Sequence, residues 1–320
     1  MQQLISDIQR SYGLSVSDAR RLDGGYLNCL WYLRTDRGER LAKQFSPRRY
    51  TPEKLDALEA ALLRQETVRQ MGVACPQIFL YKGHALRRTD AAHAYCIMEF
   101  CPGKNETAES IGVGQAESLG SACAAVHNAF SHLPVQDVKG FPIREETLLP
   151  ELWANYHNKA AVLDGTPPEY QAALLAQPAI LEQLDAGFFI RQPKGIAHED
   201  FTPDNVLFDD GGVRAVIDFD RNRYSFLLHD LGRAMLSFMR RGETLDQENL
   251  SAFLRGYTQR HTLHAQDPAD ALRITWCMES LWWINPESFS MPPSKATRFR
   301  DDIVWLTRHW EEIDAIFRSL

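Results

Sequence analysis

The feature that most constrains the fold is a short β-hairpin set inside an otherwise helical half of the chain. Two apolar runs, 205–208 and 213–217, flank an Asp/Gly turn, which is the pattern of two strands joined by a tight turn. Antiparallel strands place the start of the first beside the end of the second, so Asn205 and Asp218 are predicted to converge. Asp200 precedes them on a loop. The sequence therefore predicts a polar rim made of Asp200, Asn205 and Asp218.

The polar rim has the donor chemistry of a magnesium site shared with phosphate. Mg²⁺ takes carboxylate and amide oxygens when substrate phosphates complete its coordination shell. Phosphoryl transfer uses such a metal to neutralise phosphate oxygens, and a carboxylate to orient the attacking hydroxyl and accept its proton. We predict that Asp200 is this base and that Asn205 and Asp218 bind the metal. Turn preference alone accounts for Asp209 and Asp210, but not for the spacing of the other three.

The first hundred residues predict a small β-rich unit. The stretches 28–33 and 40–45 flank a Thr-Asp-Arg-Gly turn and are typical of a β-hairpin. Thr51 and Pro52 have the pattern of an N-cap and a first helical turn, and they open a predicted helix of about 20 residues. Further predicted elements are an amphipathic helix at 1–13 and strands at 77–81 and 94–100.

From Cys101 onward the chain is predicted to be mostly helical, and its last helix starts at Asp301 with an apolar stripe. The expected organisation is α+β, with a small β-rich N-lobe at 1–100 that binds nucleotide. A larger helical C-lobe at 101–320 would carry the catalytic loop, the metal site and the acceptor pocket.

A lysine and a glutamate in the N-lobe have the pattern of a kinase ion pair. Lys43 lies between two apolar neighbours on one face of a predicted strand, so its ammonium group needs a counter-ion or a ligand phosphate. In the helix that follows, Glu59 and Glu66 fall on the leucine stripe and Arg64 falls opposite. We predict that Glu59 pairs with Lys43 and aims it at nucleotide phosphates. The alternative is a snorkelling lysine and an exposed glutamate.

Two further N-lobe segments are candidates for nucleotide contacts. Gly24 and Gly25 precede the first hairpin, where a loop could cover phosphates with its backbone amides. A Gly-Gly turn leading into a strand is the simpler alternative. Glu99 and Cys101 lead out of the last N-lobe strand, at the position where a hinge would present backbone groups to an adenine.

Composition narrows the class of function. The net charge of −7 argues against a general nucleic-acid binder, which needs a lysine- and arginine-rich face. No run of about 18 apolar residues occurs, so no membrane span is expected. The six cysteines are scattered without a C-x-x-C pair, and the first residues lack the pattern of a secretory signal. We expect a cytoplasmic protein with reduced thiols.

These motifs together resemble the aminoglycoside phosphotransferase and choline kinase superfamily, whose members are relatives of the protein kinases. The resemblance rests on His198-x-Asp200-x-x-x-x-Asn205, on Ile217-Asp218-Phe219-Asp220, and on His229-Asp230-Leu231-Gly232-Arg233. The segments 203–208 and 253–257 are similar to homoserine kinases of this type and to spore-coat kinase-like proteins. A protein-kinase-like fold and an ATP- and Mg²⁺-dependent activity are implied.

The resemblance also implies roles for individual residues. It makes Asp200 the base, Asn205 and Asp218 the Mg²⁺ ligands, Lys43 the phosphate-binding lysine and Glu59 the partner of that lysine. By the same likeness Asp230 braces the catalytic loop, and His198 is structural. The implied acceptor is a hydroxyl group on a small, amine-bearing molecule such as an aminoglycoside, homoserine or a choline-like compound.

Two other classes of function stay open at this point. A kinase-like scaffold without turnover would have the same fold, although such proteins commonly lose one of the catalytic residues. An atypical protein kinase is disfavoured because only 12 residues separate Asp218 from Asp230, which is too short for a peptide-binding activation segment. The sequence also lacks the Gly-x-x-x-x-Gly-Lys-[Ser/Thr] phosphate loop.

The helical lobe holds two sets of candidate acceptor contacts. The segment 276–283 places tryptophans around Glu279 and could hold an ammonium group, but we favour a helix core as its role. His127 is interpreted as a satisfied core histidine. Trp153 and Tyr156 are further candidates for the pocket.

Overall fold

The N-terminal part of the chain is an antiparallel sheet with a helix on each face. The computed structural model describes residues 2–22, 28–89, 94–135, 145–294 and 297–318. In chain order the elements are α1 (Gln2–Tyr12), β1 (Val16–Leu22), β2 (Cys29–Thr35), β3 (Gly38–Phe45), α2 (Pro52–Gln70), β4 (Ile78–Phe79), β5 (Arg87–Arg88) and β6 (Ala94–Glu99). The sheet order is β1-β2-β3-β6-β4, and β5 also pairs with β6.

The predicted first hairpin is confirmed, with Leu30 opposite Lys43 in β2 and β3. Strand β1 was not predicted, because its apolar residues, Val16, Ala19 and Leu22, are spaced three apart and do not alternate as those of a strand do. It forms because it pairs along the open edge of β2, from Val16 to Leu22. Helix α2 begins at the expected residue, although the Thr51 side chain makes no capping hydrogen bond.

The two faces of the sheet form separate apolar cores. Ala42 and Ile97 face α1 and pack with Ile8, whereas Phe45 and Cys96 belong to the cluster under α2. The alternation along β3 therefore points Lys43 toward the α2 side, as its spacing from Phe45 predicts. This orientation carries the lysine to the junction with the helical part.

The larger, C-terminal part is mainly helical, with one embedded hairpin. Its helices are α3 (Val113–Ser131), α4 (Leu148–Ala160), α5 (Pro168–Leu175), α6 (Gln177–Leu181), α7 (Ala186–Arg191), α8 (Leu227–Met239), α9 (Gln247–Thr258), α10 (Asp267–Trp283), α11 (Pro286–Ser290), α12 (Thr297–Arg308) and α13 (Ile313–Phe317). Its strands are β7 (Lys194–Ala197), β8 (Val206–Asp209), β9 (Gly212–Val216), β10 (Arg223–Phe226), β11 (Arg240–Arg241) and β12 (Thr244–Leu245).

The predicted hairpin of β8 and β9 is confirmed, and backbone hydrogen bonds fix it to the segments around it. Lys104 and Phe208 exchange two N–H···O bonds of 3.0 and 2.8 Å, and the Val216 N–H donates to the Ala74 carbonyl at 2.8 Å. Gly103 allows this approach, because a Cβ there would lie 2.9 Å from the Leu207 Cβ. The hairpin is thus attached to the segment that follows β6.

The C-terminal end differs from its prediction. The expected single helix from Asp301 begins four residues earlier, at Thr297, and ends at Arg308. A 3₁₀ turn at 310–312 separates it from α13. The turn places the Trp310 indole N–H 3.1 Å from the Gln183 side-chain oxygen. In the described part of the chain, no helix combines the length and apolar character needed to cross a bilayer.

Helices α3 and α9 pack at backbone distance because each carries a glycine at the crossing. A Cβ on Gly120 would lie 1.9 Å from the Phe253 carbonyl oxygen, and one on Gly256 would lie 1.9 Å from that of Glu117. Interiors packed at this density tolerate no extra atoms without backbone movement.

We expect Gly256→Ala to lower the free energy of unfolding by about 1–3 kcal/mol or more, because the helices must separate to admit the methyl group. Urea denaturation of the two proteins would measure this. Gly114→Ala is the matched control: it lies near the start of α3 with nothing within 4 Å of a Cβ, and should be neutral or slightly stabilising. Equal stability of G256A and wild type would contradict the close packing.

Candidate active site

The hairpin brings the polar rim together as its sequence predicts. Val206 pairs with Val216, and the Ile217 N–H donates to the Asn205 carbonyl at 2.9 Å. Asp218 follows in a left-handed conformation, φ 63° and ψ 54°. The Asn205 amide nitrogen donates to the Asp200 carbonyl at 3.0 Å, which assigns the amide oxygen as the atom available to a ligand. Asp200, Asn205 and Asp218 therefore share one site.

Charge around Asp200 suits a proton acceptor. Burial and the Asp218 carboxylate raise the pKa of Asp200, while the Arg221 guanidinium opposes the shift. Arg221 Nη1 lies 3.9 Å from an Asp200 oxygen. A carboxylate with a raised pKa binds a proton more readily, which is the property of a general base.

The loop that carries Asp200 is held by side chains from outside it. The Asp230 carboxylate accepts the backbone N–H groups of His198 and Glu199 at 2.7 and 2.8 Å. The Asn105 amide donates to the carbonyls of Pro203 and Val206 at 2.6 and 3.1 Å. The bracing that the resemblance implies for Asp230 is confirmed, and Asn105 is an additional support that sequence reasoning missed.

His127 is a satisfied core histidine, as predicted. Its Nε2 lies 3.0 Å from an Asp230 carboxylate oxygen, and its Nδ1 lies 2.8 Å from the Tyr257 hydroxyl. It thus supports the same carboxylate that holds the catalytic loop.

Lys43 reaches the rim from the sheet. Its ammonium nitrogen lies 2.7 Å from Asp218 Oδ1 and 2.6 Å from Asp220 Oδ2. Burial alone would lower the pKa of Lys43, but the carboxylates of Asp218 and Asp220 outweigh it and raise the pKa. The lysine is therefore a permanent cation between the sheet and the loop that carries Asp218 and Asp220.

The predicted ion pair between Lys43 and Glu59 is wrong. The two Glu59 carboxylate oxygens accept the backbone N–H groups of Ala85 and Leu86 at 2.7 and 2.8 Å. The helix turns Glu59 toward the segment after β4, whose backbone donors need acceptors. Glu66 likewise accepts the Ile78 N–H at 2.8 Å.

Arg64 lies opposite the leucine stripe, as its helical position predicts, but it has partners there that the sequence did not reveal. Its Nε donates to Asn222 Oδ1 at 2.6 Å and its Nη2 to the Asn222 carbonyl at 3.0 Å. The stripe faces the sheet, whereas the other side of α2 faces the segment that carries Asn222. Helix α2 is therefore covered on two sides.

The structure gives less information on the remaining candidate residues for nucleotide contacts. Gly24 and Gly25 lie outside the described residues. Glu99 ends β6 and exchanges hydrogen bonds with the Gln77 backbone, at 2.9 Å through its N–H and 3.4 Å through its carboxylate. Cys101 follows it in the connection to the helical part, and burial raises the pKa of its thiol to about 11, so this thiol stays protonated.

The rim fits a magnesium ion that is shared with a nucleotide. Within the ranges that the structure describes, no group of three or more His, Cys, Asp or Glu side chains is arranged to hold a metal on its own. Mg²⁺ in phosphoryl-transfer sites needs less protein, because one or two side chains, waters and the phosphates share its shell. Asn205 and Asp218 supply that number of ligands, and the Asp218 side chain is 40% exposed.

Behind the catalytic loop lies a network of buried charges that the sequence analysis missed. The Arg223 Nε donates to Glu199 at 2.6 Å, and His229 lies between Glu199 (3.5 Å) and Glu279 (3.1 Å). Arg233 connects Glu279, at 2.6 Å, to Asp302. The i, i+4 spacing of His229 and Arg233 within an apolar helix is a signal that could have revealed it.

This network also decides the role of the segment 276–283. Because Glu279 is committed to His229 and Arg233, it is not an ammonium site. The helix-core interpretation is confirmed for Trp276 and Cys277, whereas Trp282 is 71% exposed and is not part of the core. Trp276 is fully buried, and its indole N–H donates to the Thr307 hydroxyl at 2.9 Å.

Glu199 itself has an unfavourable backbone conformation. Its φ is +68°, in the left-handed region that non-glycine residues rarely adopt. Burial alone would raise the pKa of its carboxyl, but His229 and Arg223 lower it to about 2. The ion pairs of the Glu199 carboxylate with Arg223 and His229 help to maintain this left-handed conformation.

Comparison with known proteins shows the family to which the chain belongs. The model of the phosphotransferase enzyme family matches residues 18–263, and the chain therefore belongs to that family. The homoserine kinase of Rhodopseudomonas palustris (strain BisA53) is 25% identical over 236 residues, 72% of this chain and 69% of that protein. Across the homoserine kinases that match, the aligned share of the relative ranges from 56% to 85%.

Solved structures show the fold. An amicoumacin kinase in complex with AMP-PNP and Ca²⁺ has a TM-score of 0.65 at 17% identity, over 98% of this chain and 93% of that one. A microcompartment-associated aminopropanol kinase has a TM-score of 0.60 at 14% identity, over 99% of both chains. The predicted α+β, protein-kinase-like fold is confirmed.

The His229 network should give stability a specific pH dependence. Glu199 and Glu279 outweigh burial and raise the pKa of His229 to about 10, above the unfolded value of about 6.5. Its contribution to the free energy of unfolding is therefore complete below about pH 6.5 and lost as pH rises through about 10.

We expect His229→Gln to be less stable than wild type by about 3–5 kcal/mol near neutral pH, because the two buried carboxylates of Glu199 and Glu279 each lose one of their two cationic partners. Urea denaturation between about pH 6 and pH 10 should show the difference shrinking as pH rises. His132→Gln, at an exposed position, is the control with a small and constant difference. A pH-independent deficit in H229Q would contradict a charged His229.

Proposed function

We propose that this chain transfers the γ-phosphate of ATP, with Mg²⁺, to a hydroxyl group of a small, amine-bearing molecule. The observation that carries the proposal is the convergence of Asp200, Asn205 and Asp218 at the base of one hairpin, with Lys43 delivered to them from the sheet. This set contains a base, two metal ligands and a phosphate-binding cation.

Each residue has a role that its surroundings support. Lys43 would bind nucleotide phosphates through a permanently charged ammonium group, and Asn205 and Asp218 would hold the metal through side-chain oxygens. Mg²⁺·ATP supplies the phosphoryl group and neutralises its oxygens. Asp200 would align the acceptor hydroxyl and take its proton on a carboxylate oxygen, with Arg221 stabilising charge beside it.

The lobes divide these tasks. Residues 1–100 form the nucleotide-binding lobe in this proposal, with Gly24 and Gly25 covering phosphates and the 99–101 connection contacting the base. Residues 101–320 then carry the catalytic loop and the acceptor. The backbone pairing of Lys104 with Phe208 holds the segment after the 99–101 connection against the hairpin. This supports a cleft that is bounded by the connection on one side and by the polar rim on the other.

The acceptor class is inferred from the site and from the relatives. Homoserine and aminopropanol, named in two matching kinases, are both small amino alcohols. A carboxylate at Asp200 suits a hydroxyl acceptor, because an alcohol loses its proton when it is phosphorylated and needs a base to accept it. We therefore infer an amino alcohol or a larger amine-bearing alcohol as the substrate.

A protein substrate fits the structure less well. The residues between Asp218 and Asp230 are taken up by a 3₁₀ turn at 219–221, strand β10 and the start of α8. This compact path offers no extended platform for a peptide.

We also propose a cytoplasmic location. The six cysteines are all free, and Cys75, Cys96, Cys123 and Cys277 are buried. Free, buried thiols suit a reducing compartment.

We expect Asp200→Ala to lower kcat by roughly 10²–10⁴ while nucleotide affinity changes little, because only the proton acceptor is lost. Steady-state kinetics and calorimetric titration with the non-hydrolysable analogue AMP-PNP would separate the two effects. Asp209→Ala, in the exposed hairpin turn, is the matched control with unchanged kcat. Unchanged turnover in D200A would remove Asp200 from the mechanism.

Metal dependence and acceptor identity can be measured in one thermal-shift series. Mg²⁺ with ATP should stabilise the wild type by about 2.7 kcal/mol at 100 times the Kd, and Asp218→Ala should abolish the Mg²⁺ dependence. A panel of amino alcohols and aminoglycosides, followed by phosphate-transfer assays, would then identify the acceptor. If no nucleotide shifts the melting temperature, the catalytically silent scaffold is the better description.

A further inference from the structure

The two carboxylates that neutralise Lys43 are not equivalent. The Asp218 side chain is 40% exposed and faces the rim, whereas the Asp220 side chain is 6% exposed. Tyr50, from the segment between β3 and α2, donates its hydroxyl to the same Asp220 oxygen that contacts Lys43, at 3.3 Å. Asp220 is therefore enclosed between two donors from the sheet side of the molecule.

The exposed carboxylate, that of Asp218, is also the one that would bind the metal in the proposed function. When Asp218 binds a metal, its charge is shared between that metal and the lysine. A buried ammonium group then needs another counter-ion, since unpaired buried charges are strongly unfavourable. Glu59 is not available, because the N–H groups of Ala85 and Leu86 already occupy both of its oxygens.

The backbone around Asp220 is fixed to helix α2. Asn222 donates its side-chain amide to the Ala61 carbonyl at 2.9 Å and accepts from Arg64 Nε at 2.6 Å. Phe219 is fully buried beneath the loop. The carboxylate of Asp220 is therefore presented to Lys43 from a segment that is anchored on both sides.

We propose that Asp220 is the positioning residue for Lys43, in place of the glutamate of helix α2. It would hold the ammonium group at the mouth of the cleft while Asp218 binds the metal, so that Lys43 can meet the nucleotide phosphates. The proposal rests on the function proposed above. The residue that orients the phosphate-binding lysine would then lie on the same loop as Asp218, the proposed metal ligand.

The test compares Asp220→Asn with Glu59→Gln in the 320-residue chain. Calorimetric titration with Mg²⁺ and AMP-PNP gives Kd without turnover, and steady-state kinetics gives the KM for ATP and for the acceptor separately. D220N should raise the Kd and the ATP KM by about tenfold or more, which corresponds to about 1.4 kcal/mol or more, and should leave the acceptor KM within about twofold.

E59Q should lower the melting temperature of the nucleotide-free protein and leave the AMP-PNP Kd within about twofold, since Glu59 satisfies only backbone donors. In a Lys43→Met background, adding D220N should have little further effect on Kd, because the two residues act as one unit. This double-mutant comparison separates positioning from a general loss of fold.

Three results would overturn the inference. These are an AMP-PNP Kd unchanged or lowered in D220N, a Kd raised in E59Q but not in D220N, and equal effects of D220N with and without Lys43. A wild-type protein that binds no nucleotide would overturn the proposed function as well, so the two failures are distinguishable.

Discussion

The structure of the active site depends on one buried carboxylate, that of Asp230. It has no solvent exposure and accepts the N–H groups of His198 and Glu199 and a contact from His127 Nε2. A buried charge of this kind is tolerable only when several donors satisfy it. In this case the donors include the backbone of the loop that carries Asp200, so the hydrogen bonds that satisfy the carboxylate also fix the shape of the loop. The position of Asp200 follows from these hydrogen bonds, because Asp200 is the next residue in the chain.

The part of the site that could be predicted from sequence is the part set by local geometry. Asn205 and Asp218 converge because a hairpin leaves no other arrangement, and Lys43 points toward α2 because side chains alternate along β3. Strand β1 escaped prediction for the converse reason. Its pairing with β2 is decided by an available sheet edge and not by an apolar pattern of its own.

The partners of charged side chains could not be predicted in the same way. Helical periodicity placed Glu59 on the covered side of α2, but it gives no information on which donor the carboxylate meets there. In the structure the donors are the backbone N–H groups at 85–86 and not the Lys43 ammonium group. The same limit applies to Arg64, which meets Asn222 from 158 residues away in the sequence. Glu199, His229 and Glu279 lie on three different elements, and only the packing of those elements makes them neighbours.

The left-handed backbone at Glu199 has a consequence for substitution. A glycine at this position would remove a strain of about 1–3 kcal/mol, and would also remove the carboxylate that pairs with Arg223 and His229. The relaxed loop would then leave Arg223 and His229 with one counter-ion fewer each. Strain in the backbone and charge beneath it are therefore coupled in this chain, so that a substitution at His229 or Arg223 acts on the loop as well as on the ion pairs.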